Sequence, residues 1–405
     1  MGTATLKITK DELIDKLGLI SLILISARDC LVRLLPVIPW NSVLVLSFLV
    51  FIIVALTMKQ KRINYRSILI ILVAYFVVTI SYIVGTRLQR EYIRDTFFDI
   101  FRFVALWLYL IIFSTLNESK KMLKWLLPVA YCNLFLLIIV TLSGLYSSEI
   151  RSINYLGLGI NGMIWVAFII QKTVEKDCKY RIVHIISAIA FSIFLLVYGN
   201  RGAVVAIAAF VIFCLLKYIN LKHKFLLCAL IAAVAGILYY YQQIILGAII
   251  NFVAKFGITS RNLTLFLSGD ISYTTHRVDV IWIDCLNYIK NNWITGYGLC
   301  FDRVIGGDIL EYAHNFFLEV WLSFGLIVGS ILLLIHLSIG IKMITRPAED
   351  DWMKLFAPFY ITSTIVLLFN SSFCVLAPFW ASYGIYFAFL KNGRGTKKRL
   401  KWRVD

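Results

Sequence analysis

The chain has 405 residues, 60% of them hydrophobic, with a mean hydropathy of +0.85. That excludes a soluble globular domain and, with apolar runs long enough for a bilayer, gives an all-α polytopic membrane protein. The net charge of +18 admits nucleic acid as a partner, but its distribution along the chain argues against one. The start carries Asp11, Glu12 and Asp15, with no basic region ahead of a small-residue cleavage site, so no cleavable signal peptide is expected.

The apolar pattern predicts spans near 13–35, 41–58, 67–85, 97–116, 122–146, 154–171, 182–199, 203–219 and 225–250. After a long polar gap from 251 to 313, three more follow near 315–341, 353–371 and 375–390, about 12 in all. The first is the weakest, because Arg28, Asp29 and Arg33 interrupt it. It is either a span with charges near one interface or an amphipathic surface helix. The expected organisation is therefore 1–250 with nine spans, an outer loop at 251–313, three spans in 314–391 and a basic tail at 392–405.

Charge tests the topology. With the N-terminus inside and sides alternating, most of the 40 Lys and Arg fall on the presumed cytoplasmic segments, so both termini are expected in the cytoplasm. The basic excess is mainly a topology signal, and Lys397, Lys398, Arg399 and Lys401 suit anionic lipid heads. The exceptions carry more information. Arg87, Arg90 and Arg94 crowd one short outer loop, Arg201 stands between two spans, and Arg261, Arg277 and Arg303 punctuate the long loop. A guanidinium binds phosphate bidentately, so this outward set suits an anionic ligand arriving from the membrane. The alternative for the 87–94 group is snorkelling to lipid phosphates.

Within the long loop, Val278, Ile281, Trp282, Cys285, Leu286 and Ile289 recur at helical spacing, opposite Asp279, Asp284, Asn287 and Lys290. This predicts an amphipathic surface helix capped by Thr274 or Thr275, with Arg277 in its first turn, ended by a turn at Gly296-Tyr297-Gly298. Arg201 opens another helix, with Asn200 as its cap, and His314 a third. Such N-termini hold anions well where they converge. His314 is the candidate base, since a helix N-terminus disfavours protonated imidazole; His276 is its rival, and His184, His223 and His336 read as structural. Glu311 and Glu319 either orient His314 or pair with arginines. Of eight cysteines, Cys30, Cys132, Cys214, Cys228 and Cys374 fall in apolar spans, and Cys285 and Cys300 form a candidate outer pair. No Cys or His spacing suggests a metal site.

Four motifs then fall in order. They are Asn200-Arg201-Gly202-Ala203, Arg-x-x-x-x-Trp at 277–282, Asn-x-x-x-Gly-x-Gly at 292–298, and His314-Asn315-x-Phe317-Leu318-Glu319 running on to Gly325-Leu326-x-x-Gly329. This set resembles the bacterial O-antigen polymerase and O-antigen ligase superfamily. The resemblance covers 200–329; beyond it only the span count agrees. It implies inverting, metal-independent and cofactor-free glycosyl transfer of the membrane-embedded GT-C type, in the bacterial inner membrane with the site facing the periplasm. The implied donor is a glycan on undecaprenyl diphosphate. Arg201 and Arg277 would hold the diphosphate and His314 would take the acceptor proton, with Arg87, Arg90, Arg94, Arg261, Asn315 and Glu319 in support. Family members often carry serine where this chain has Asn200. The implied acceptor is another lipid-linked repeat unit for a polymerase, with a chain-length regulator as a further implied partner, or lipid A-core for a ligase; a third branch acts on protein Ser or Thr. The Ile-, Lys- and Asn-rich composition favours the polymerase. A flippase for lipid-linked oligosaccharide is the reading from another class, and the long outer loop argues against it.

Overall fold

The computed structural model describes residues 10–57, 63–142, 151–198, 200–218, 240–255, 281–305 and 313–401, with single positions at 229, 233 and 236. Every regular element among the described residues is helical. In chain order these are α1 (Lys10–Leu34), α2 (Trp40–Thr57), α3 (Tyr65–Val84), α4 (Arg87–Phe97), α5 (Ile100–Ser114), α6 (Ser119–Leu142) and α7 (Arg151–Val174). There follow α8 (Arg181–Tyr198), α9 (Arg201–Tyr218), α10 (Gln242–Ala254), α11 (Ile283–Asn291), a 3₁₀ turn (Phe301–Arg303), α12 (Phe316–Ile344), α13 (Asp351–Phe369) and α14 (Ala377–Lys401). Among the described residues eight helices are long and apolar enough to cross a membrane, or nine if α4 and α5, bent by 66°, form one span. The span expected near 225–250 is described in part, with α10 over its last residues.

Burial sorts these helices into a centre and a lipid-facing shell. The apolar window of α7 is 67% buried, that of α3 only 17%. At the centre, α5 packs on α14, and α7 and α13 pack on each other and on α9. The exposed Leu46, Ile53, Leu72, Phe76, Ile186 and Ile193 on α2, α3 and α8 are what a lipid-facing surface requires. Apolar burial does little to join helices in lipid, so close approach and polar ties do that work. At Gly384 on α14 a Cβ would stand 2.5 Å from Leu110 O and 3.0 Å from Phe113 Cβ of α5. At the same seam Trp107 meets Trp380 at 4.9 Å between ring centroids. Asn64 caps α3 through Arg66 N (3.1 Å) and donates its Nδ2 to Phe387 O of α14 (3.1 Å). His336 is structural, bonded through one ring nitrogen to Tyr383 Oη (3.0 Å) and through the other to Thr364 Oγ1 (3.1 Å).

Three expectations are corrected, and the basic tail proves to be helical. Arg87, Arg90 and Arg94 lie on a helix, because Thr86 and Gln89 form a capping box that starts α4. The span expected at 315–341 is broken at Gly325, where φ is +74°. Cys374 sits in the turn between α13 and α14. The tail expected at 392–405 continues α14 as helix through Lys401.

Gly384→Val should part α5 from α14 at a cost of about 1–3 kcal/mol, as overpacking does. Thermal unfolding in detergent should show a lowered Tm, with Gly247→Ala as the control, since nothing lies within 4 Å of its added Cβ.

Candidate functional site

The break in α12 creates the site. Gly325 has a backbone conformation that side chains rarely adopt, and it divides α12 into a short segment from Phe316 and a long one to Ile344. A break leaves N–H and C=O groups without helical partners, which is costly away from water. The loop after α11 supplies partners. Tyr297 N donates to Leu322 O (2.8 Å), Gly298 N to Ser323 O (3.1 Å), and Leu326 N to Trp293 O (2.7 Å). Nothing larger than glycine fits this docking: a Cβ on Gly325 would lie 2.2 Å from Ile294 O, and one on Gly296 2.5 Å from Gly325 N. The two glycine motifs are thus the two halves of one joint. The turn expected at Gly296-Tyr297-Gly298 falls earlier: the loop helix ends at Asn291 with a turn over 292–295, and Gly296-Tyr297-Gly298 plugs the broken span.

The docked loop is held from both sides. Ser81 of α3 accepts from Leu299 N (2.9 Å), and the buried Gln89 of α4 donates its Nε2 to Leu299 O (2.7 Å) and Tyr297 O (3.2 Å). Beneath it, Ile281, Cys285, Ile289, Phe301, Ala313, Leu318 and Leu322 form a second small core. Ile281, Cys285 and Ile289 are the buried face of the expected amphipathic helix, while Leu286 is 51% exposed. α11 therefore packs on α12 through a narrower face than its sequence suggested. Burial pushes the Cys285 thiol up to about 12, so it is no nucleophile near neutral pH. Cys285 and Cys300 are both unbridged, and the neighbour of Cys300 is Cys374.

His314 lies one residue before the cap of the short helix, not in its first turn. Asn315 is the cap: its side-chain oxygen accepts from Phe317 N (3.0 Å) and Leu318 N (3.3 Å). His314 itself is left-handed, with φ +47° and partial exposure. Cys300 (φ +63°) and Ser371 (φ +73°) share that conformation nearby, so three of the four left-handed non-glycine residues among the described ones gather here. Such backbone clusters where surrounding structure dictates it, commonly at functional sites.

A buried charged group underlies this turn. Asp302 and Arg303 are 3.7 Å apart and almost fully buried, with the guanidinium over Tyr92 of α4 at 5.2 Å. Burial works against the charge on Arg303, yet Asp302, Tyr92 and Glu319 hold it above the ordinary guanidinium value. Glu319 is buried too, but its carboxylate is engaged by Ser372 Oγ and Phe373 N rather than set as a partner to His314. Ser372 belongs to the turn 370–376. α9 starts against the same turn, with Gly202 so close that a Cβ there would lie 3.4 Å from Asn370 Cβ. Asn200 caps α9 through Ala203 N (2.6 Å), and Gly159 of α7 makes room for it. The helix starts that carry Arg201 and His314 thus flank one turn.

Arg87, Arg90 and Arg94 line an open cleft of about 300 Å³ with Tyr82 and Glu91. Arg87 pairs with Glu91 (3.2 Å) and Arg94 with Asp95 (3.0 Å), exposed pairs of little strength. Gln89 and Tyr92, on the same helix, tie this cleft to the docked loop and to Arg303. Arg261, Arg277, His276 and Glu311 fall outside the described residues. Asp302, Gln89 and Ser372 carry no motif signal in the sequence. The one hint at Asp302 is a charged doublet following the apolar Leu299-Cys300-Phe301. Among the described residues no group of three or more His, Cys, Asp or Glu is arranged to hold a metal ion.

Residues 185–333 match a family model described as O-Antigen ligase. The match runs from α8 into the long segment of α12 and takes in Arg201, Arg277, His314 and the Gly325 joint. No curated protein matches the chain.

Gly325→Ala and Gly296→Ala should each unseat the loop at a cost of about 1–3 kcal/mol in backbone strain alone. Limited proteolysis of purified protein should then cut between α11 and α12 faster than in the wild type.

Proposed function

We propose that this chain, which belongs to the O-antigen polymerase and ligase superfamily, is a surface-polysaccharide polymerase. It transfers glycan from undecaprenyl diphosphate to a lipid-linked repeat unit at the periplasmic face of the inner membrane. The observation that supports the reading is that the short helix after His314 and the start of the helix bearing Arg201 both meet the turn 370–376, through Glu319 and Gly202, and that both residues lie within the stretch that matches the family. The transfer is a single displacement. The acceptor hydroxyl oxygen bonds to the anomeric carbon as the bond to the diphosphate oxygen breaks, which inverts that centre. The hydroxyl proton passes to His314, and undecaprenyl diphosphate leaves with its added negative charge. Arg201 and Arg277 meet that charge, because fixed cations aimed at a leaving group stabilise the transition state more than the bound donor. Arg87, Arg90, Arg94 and Arg261 attract the anionic donor toward the site, and Asn315 and Glu319 fix the short helix that follows His314. The twelve-span topology, with both termini cytoplasmic and a GT-C-like arrangement, is part of the same reading.

Lipid A-core is the alternative acceptor, and the family match is common to both readings. Purified protein given lipid-linked repeat unit alone should build a ladder of products. Product only after addition of lipid A-core makes it a ligase. No product in either case, with lipid-linked sugar crossing liposomes instead, overturns the transferase reading in favour of a flippase.

His314→Ala should lower transfer by about 10²–10⁴-fold, the usual contribution of a general base. Arg277→Ala and Arg201→Ala should each lower it by about 10²–10³-fold, as loss of an oxyanion-stabilising group does. Membrane insertion and Tm should hold in all three; transfer at the wild-type rate removes that residue from the mechanism.

A further inference from the structure

The residue before His314 is gripped at both ends of its backbone. Ala313, 1% exposed, donates its N–H to Asp302 Oδ2 (3.2 Å), and its carbonyl accepts Trp282 Nε1 (2.9 Å). On the other side Asn315 is committed to capping the short helix. The left-handed turn at His314 lies between these two fixed points. Isolated, that conformation costs an L-residue on the order of 1–2 kcal/mol, so its neighbours must impose it.

Asp302 is an expensive way to satisfy one backbone N–H. A buried carboxylate loses its hydration, and an amide or a water would accept the same hydrogen bond. What the charge adds is a fixed position. Arg303, 3.7 Å away and seated over Tyr92, ties Asp302 to α4, while Glu319 places a second carboxylate near the same guanidinium. A chain of contacts thus runs from α4 through Arg303, Asp302 and Ala313 to His314.

We propose that Asp302 is the positioning residue that sets the imidazole of His314. It accepts the Ala313 N–H and, held by Arg303, aligns the left-handed turn, with Trp282 as its counterpart on the Ala313 carbonyl. This rests on the reading of His314 as the base. Its geometric part is testable without any transfer reaction.

The test uses full-length purified Asp302→Ala, Asp302→Asn and Asp302→Glu. One readout is the rate at which diethyl pyrocarbonate modifies His314, followed by peptide mass spectrometry. The other is kcat and KM with the lipid-linked repeat unit. Asp302→Ala should change the modification rate severalfold and lower kcat by about 10–100-fold, the effect of a misplaced catalytic group, with KM little changed. Asp302→Asn keeps an acceptor at the same reach but loses the charge that Arg303 holds, and should fall between the alanine variant and the wild type in both. Asp302→Glu keeps the charge but shifts the acceptor by a methylene, and should resemble the alanine variant. If Asp302→Ala does not survive purification, the order of Asn above Glu carries the test, and the reverse order overturns the proposal. Unchanged His314 modification in both Ala and Glu variants also overturns it. Altered modification, together with a wild-type protein that transfers no glycan, overturns the transferase reading and leaves the positioning role standing.

Discussion

The structure around the site depends on how a broken transmembrane helix satisfies its backbone. Interrupting α12 at Gly325 strands peptide groups at a depth where water is scarce, and only another stretch of backbone at close range can take them up. The loop from Trp293 to Gly298 does so with three hydrogen bonds, and the glycines at both faces exist because any Cβ would collide with a carbonyl or an amide. Break and plug require each other. The loop cannot drift from the membrane helices while the break persists, so a residue at the head of the short helix is held as firmly as one on a continuous span.

That rigidity explains why polar groups collect here rather than at the lipid-facing helices. Once the loop is docked, the space between α3, α4, α12 and the turn 370–376 is closed enough to bury Asp302, Arg303 and Glu319 together. Burying such charges is costly unless each has partners, and removing one leaves the others exposed to the full penalty. The group is therefore a demanding constraint: it tolerates few arrangements and so specifies one. The left-handed backbone at Cys300, His314 and Ser371 fits the same picture, because local strain persists only where surrounding contacts dictate it.

The arginines divide into two kinds. Arg303 is sealed inside and serves the architecture, whereas Arg87, Arg90 and Arg94 stand on an open cleft with weak partners. Charge of the second kind costs little to redirect, so it suits a mobile anionic ligand. Gln89 joins the two regions, since it sits on the buried face of the helix whose exposed face carries the arginines, and it bonds the docked loop.

Much of this was legible in the sequence, for identifiable reasons. Hydropathy periodicity reports burial in lipid directly, so nearly every long helix lies where the apolar runs put it. Asn200 announced a helix start because capping is a local interaction between near neighbours. The glycine spacing at 296–298 and 325–329 was visible as a motif, but the sequence did not show that its two halves meet, because their contact joins two segments through backbone atoms that carry no residue identity. Thr86 and Gln89 were overlooked as a helix start because the run between two spans was read as a loop from its charge alone. Asp302 was silent for a stronger reason. Its role comes from a hydrogen bond to the amide of Ala313, eleven residues on, and from a guanidinium seated over a tyrosine of α4. Composition and spacing determined a polytopic helical protein with His314 and Arg201 at helix starts. Only tertiary packing decided which charges are buried and which side chains hold His314, because those are settled by distances between segments that the chain brings together only on folding.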